Sequence, residues 1–183
     1  MTEPLLVAQA APDVADRIGR DITNLPLLQH LAQVMPAADV AFGGGMLLVI
    51  ILIHATGVRV VTNYVAHHSH AILARPQIWR ADVLMASSVF MLLALHLLET
   101  IVWAASLVYG GLLTSWRAAG FFAGNTYTTV GYGNFVLPAG WEMLAPIIAM
   151  SGLFAFGWSG SVLVDIVSRC QRIKDVVAGR AKS

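Results

Sequence analysis

The chain alternates long apolar runs with short polar interruptions, and the lengths of the runs set its architecture. Residues 40–61 form the first run, 81–107 the second and 143–167 the third. At 1.5 Å per residue, about 20 helical residues cross a hydrocarbon layer of roughly 30 Å. Each run is long enough, and lipid offers no partner for open amides, so each is predicted to be a helix. A shorter segment, 116–127, cannot span. Gly110 and Gly111 end the run before it, and Ser115 is placed to cap it. Residues 1–39 follow another pattern. Val14, Ile18 and Ile22 recur every four residues behind Asp13, and Leu27, Leu28, Leu31, Val34 and Met35 share a face behind Asn24. Two short amphipathic helices are predicted there, on the membrane surface or against the outer face of the bundle.

Composition supports the same class. Of 183 residues, 57% are hydrophobic and only 11% charged, which points to a membrane protein. The net charge of +1 gives no basis for a nucleic-acid partner. The placement of charge says more. Residues 59–80 carry three arginines and no acid, and 169–183 carry five basic residues against one acid. Both segments are predicted to be cytoplasmic, which puts the amino terminus outside an integral, plasma-type membrane. The basic stretch up to residue 80 reads as a loop. One cysteine, Cys170, excludes an intrachain disulfide. No nucleophile–base pair suggests an enzyme, and no arginine repeats at every third position as in a voltage sensor.

Ionisable residues inside the runs are costly and usually face protein or water. His54 lies in the first run; His96 and Glu99 lie three apart in the second. Two readings stand: a proton-sensitive site that grips the back of the short helix, or a neutral hydrogen-bonded packing pair. His67, His68 and His70 form a separate cluster with no cysteine or carboxylate beside them, and read as interfacial polar residues. Asp165, four residues before Arg169, suits either a local salt bridge or a ring of acids.

Residues 129–133 read Thr-Val-Gly-Tyr-Gly, directly after the short segment and before the third run. Backbone carbonyls can replace the water around an ion if successive residues aim them at one axis. That geometry alternates left- and right-handed backbone, which glycine adopts at little cost. The stretch resembles the selectivity filter of potassium channels. The resemblance covers residues 81–168: outer helix 81–107, pore helix 116–127, filter 128–134 and inner helix 143–167. It implies an outer and an inner transmembrane helix, a re-entrant pore helix and a filter loop per subunit. Residues 40–80, outside the resemblance, supply a further transmembrane helix and a basic loop, so the chain is expected to be an all-α membrane protein with three transmembrane helices, and 169–183 form a basic tail. One filter strand cannot surround an ion, so the resemblance implies a homotetramer of this chain with three further copies of itself, embedded in lipid.

On this resemblance, permeant K+ binds at Thr129, Val130, Gly131, Tyr132 and Gly133. Gly152 and Gly157 resemble the bend and packing glycines of the inner helix. Asn134 replaces the usual aspartate after the filter, Phe122 replaces a tryptophan that donates to it, and Asn125 stands behind the filter. These three are the candidate filter supports. The implied function is passive, potassium-selective conduction. A weakly selective monovalent cation channel and a non-conducting sensor or accessory subunit are the alternatives.

Overall fold

A computed structural model describes residues 37–74, 77–133 and 137–180. Four helices occupy them: α1 (Ala37–Ala74), α2 (Ile78–Tyr109), α3 (Trp116–Tyr127) and α4 (Leu144–Arg180). Three of these, α1, α2 and α4, are long and apolar enough to cross a membrane. No strand occurs among the described residues, and the fold is all-α. The amphipathic helices expected before residue 37 and the filter-flanking Asn134 lie outside the described residues.

Two polar contacts fix the directions of the helices. Asp39, at the start of α1, accepts the Met143 backbone N–H just ahead of α4 at 2.7 Å. An acid at that helix start also meets the positive end of the helix dipole. Lys174, late in α4, pairs with Asp82, early in α2. So α1 and α4 run parallel and α2 runs antiparallel to both. The start of α2 and the end of α4, which hold the basic segments, lie at one end of the bundle.

The first and third helices outrun the apolar stretches that predict them. The loop expected up to residue 80 is helical as far as Ala74, and the tail is helical to Arg180. The reason is packing. Val65 and Ile72 of α1 are buried with Leu84 of α2 and with Ile173 and Val177 of α4 in one apolar cluster. Hydroxyl bonds such as Ser69 to the Val65 carbonyl, 2.6 Å, keep the polar face of α1 inside its own ladder. Periodic apolar residues extend past the hydrocarbon-length runs, and they carry the helices with them.

A second apolar cluster fills the other half of the bundle, built around Ile50, Trp103, Leu107, Phe122, Tyr127 and Ile148. Between the clusters lies a polar layer of His54, His96, Glu99 and Ser159, all buried. The outer surface is apolar: Leu48, Leu52, Phe90, Leu97 and Ile101 are exposed, as lipid or a neighbouring chain requires.

Candidate pore loop and the polar layer behind it

Ser115 opens α3: its carbonyl accepts the Ala119 N–H at 2.9 Å, and its hydroxyl accepts from Ala118 at 3.5 Å. The helix lies against α2 and α4, with Ala119, Phe122, Ala123 and Tyr127 buried. Its far end meets α4 at Gly152. A Cβ on Gly152 would collide with the carbonyl of Tyr127, so only glycine lets α4 pass there. Gly157 has open space around it, and α4 continues as a helix through both glycines.

The chain leaves α3 by folding its amides back onto the helix end. The Thr128 and Thr129 N–H groups donate to the carbonyls of Gly124 and Thr126 at 3.0 and 2.9 Å. Asn125 then serves three residues. Its carbonyl accepts from Val130 at 3.0 Å and Gly131 at 3.4 Å, and its side-chain Oδ1 accepts the Tyr132 N–H at 2.7 Å. In a trans peptide the carbonyl points opposite to the N–H of the same unit. The carbonyls of Thr129, Val130 and Gly131 are therefore all turned away from Asn125, on one side of the strand.

That arrangement demands alternating handedness. Thr129, Gly131 and Gly133 have φ of 59°, 66° and 112°, separated by Val130 and Tyr132 at negative φ. Sequence reasoning assigned the left-handed positions to the two glycines alone. Thr129 adopts one as well, at a cost of about 1–2 kcal/mol for a residue with a Cβ. No residue type signals this; the local bonds impose it. The side chains of Val130 and Tyr132 are exposed, at 67% and 73%. The Tyr132 hydroxyl has no partner among the described residues of its own chain.

Behind α3 the polar layer forms one connected network. Glu99 Oε1 lies 2.8 Å from His54 Nδ1, and Glu99 Oε2 accepts the Tyr127 hydroxyl. His96 Nδ1 lies 3.0 Å from the Tyr127 oxygen, and Ser159 Oγ lies 3.4 Å from His54 Nε2. One proton assignment satisfies every member: His96 donates to Tyr127, Tyr127 and His54 donate to an ionised Glu99, and Ser159 donates to His54. The close partner of Glu99 is thus His54 across helices, whereas His96 stays 3.8 Å from the carboxylate. Phe156 stacks on His96 with ring centroids 4.3 Å apart. Tyr127 and Ser159 were absent from the sequence-based set. A clue was present, since a buried glutamate needs more donors than one neighbouring histidine.

Phe122 is buried in the apolar cluster and brings no donor. Asp165 forms the local bond to Arg169 at 2.7 Å. His67 and His68 pack edge to face, 5.4 Å between centroids, and join no metal-type cluster among the described residues.

Residues 89–169 match the protein-family model described as "Ion channel". Over that stretch the chain is similar to ion channels. The matched segment starts within α2, takes in α3 and the loop after it, and ends within α4, so the loop and most of the polar layer fall inside it. The matched segment does not include α1, which supplies His54. Together with the three membrane-length helices, the match makes this an integral membrane protein. No curated protein and no solved structure matches the chain.

Proposed function

We propose that the protein is a potassium-selective channel, conducting K+ passively through a pore built by four copies of the chain. The observation that carries this reading is the loop 129–133. Its left-handed positions alternate, and its amides are held by Asn125 with three carbonyls turned the other way. A single strand of carbonyls offers an ion one wall. Four strands around an axis offer a cage that replaces the hydration shell, with the Thr129 hydroxyl as a further oxygen. The exposed Val130 and Tyr132 side chains then pack against the next copy. The end of α3 aims its partially negative dipole terminus toward the same axis and favours a cation there.

The test is purified protein in liposomes under bi-ionic gradients. A reversal potential near the potassium equilibrium value supports the reading. A reversal potential near zero with K+ against Na+ would make the pore weakly selective, and absence of flux would make the protein a sensor or accessory subunit.

A further inference from the structure

The polar layer brings three metal-type ligands to one point between two facing helices. His54 comes from α1; His96 and Glu99, three residues apart, share one face of α2. Glu99 lies between the two rings. Its Oε1 stands 2.8 Å from His54 Nδ1, and its Oε2 stands 3.8 Å from His96 Nδ1. One ligand atom from each of the three residues falls within 4.8 Å of the other two. Around a tetrahedral zinc ion, with bonds of about 2.0–2.1 Å, ligand atoms stand roughly 3.4 Å apart, so side-chain shifts of about 1 Å bring all three onto one ion. Tyr127 stands at the open corner, its oxygen 3.0 Å from His96 Nδ1 and bonded to Glu99.

The surroundings suit a metal as well. To bind one, each ring offers the Nδ1 lone pair and carries its proton on Nε2. His54 Nε2 faces Ser159 Oγ at 3.4 Å, where a hydroxyl can accept as well as donate. A partner on the far nitrogen is what fixes the tautomer and direction of a ligating histidine. Phe156 stacks on His96 and holds that ring in place. Apolar clusters close the layer from both ends, and His54 and Glu99 are almost fully buried. We infer that His54, His96 and Glu99 bind one divalent ion of the zinc type, with the Tyr127 oxygen as the fourth ligand. Two imidazoles and a carboxylate select a first-row transition metal, whereas Mg2+ and Ca2+ take oxygen ligands. The ion ties α1 to α2 directly and takes over the atoms of Glu99 and His96 that bond Tyr127. None of the ligands belongs to loop 129–133, and the test reads metal rather than flux, so this site stands or falls separately from the proposed conduction.

The probe is Co2+, which substitutes for zinc and reports tetrahedral nitrogen and oxygen coordination by visible absorption. The tag-free full chain is solubilised in detergent with Co2+ present across a concentration series, so that slow entry into the buried layer does not hide the site. One Co2+ per chain is expected, with visible bands that Zn2+ abolishes. His96→Gln leaves the bonds of Glu99 to His54 and Tyr127 in place. It should weaken binding by at least about 100-fold, the upper end of what loss of a ligand's own hydrogen-bond partner costs. Ser159→Ala, outside the ligand set, should weaken it by about 10-fold. His67→Gln, His68→Gln and His70→Gln together should leave the titration unchanged. Absent bands, or wild-type affinity in His96→Gln or Ser159→Ala, overturn the inference. So does loss of the bands in the triple histidine variant, which would mark binding at the interfacial cluster instead.

Discussion

His54 and Glu99 stand 45 residues apart in sequence and 2.8 Å apart in space, and through Tyr127 their bond reaches the end of the helix that carries the pore loop. A helix outside the segment that matches the ion-channel family model is thereby tied to the back of that segment. Both partners are almost fully buried, at 1% and 0% exposure, so neither can turn to water if the other is lost.

Removing one member of a buried pair leaves an uncompensated polar or charged group, at a cost of about 3–5 kcal/mol. His54→Leu is expected to lower the thermal midpoint of the purified protein clearly. Glu99→Gln, which still offers an oxygen to Tyr127, should lower it less. Equal midpoints for wild type and His54→Leu would show that the pair contributes nothing.

Tyr127→Phe cuts the link between the polar layer and α3 while leaving the ring in place. The lost bond and the exposed need of Glu99 should cost about 1–3 kcal/mol. The functional readout is current decay during sustained opening, which should change more than ion preference. A variant with wild-type decay and stability would confine the network to packing.

Gly152→Ala puts a methyl group into the Tyr127 carbonyl, and neither helix backbone can yield cheaply. Overpacking of this kind costs about 1–3 kcal/mol and here falls at the base of the pore loop. Ion flux should fall sharply. Gly157→Ala, with open space around it, should fold and conduct normally in the same assay.

Asn125→Val deletes the acceptor of the Tyr132 N–H and should loosen the loop, raising sodium permeability in reversal-potential measurements. An amide hydrogen left without a partner costs about 1–3 kcal/mol. Asn125→Asp keeps an oxygen at the same place and should restore selectivity. If valine is tolerated without change, the backbone carbonyl of Asn125 alone holds the loop.

Native mass measurement or crosslinking of the detergent-solubilised protein is expected to give four copies. The exposed Val130 and Tyr132 and the one-sided carbonyls of the loop have no complement among the described residues of one chain. A conducting monomer or dimer would overturn the proposed pore.

The sequence by itself determined the membrane class, the three spans and the position of the re-entrant helix. Those follow from run length, from Ser115 and from the glycines, all of which act locally. It also marked Gly131 and Gly133, because a left-handed backbone favours glycine wherever it occurs. It could not place the end of α1, because helix beyond the hydrocarbon layer survives only where Val65 and Ile72 find partners on α2 and α4. Nor could it choose between His54 and His96 as the partner of Glu99. Spacing on one helix favours His96 at i−3, but the crossing of α1 brings His54 closer, and the distance across helices decides a hydrogen bond. The left-handed Thr129 likewise belongs to the tertiary structure. Its conformation is imposed by the amides folding back on Asn125, against the residue's own preference.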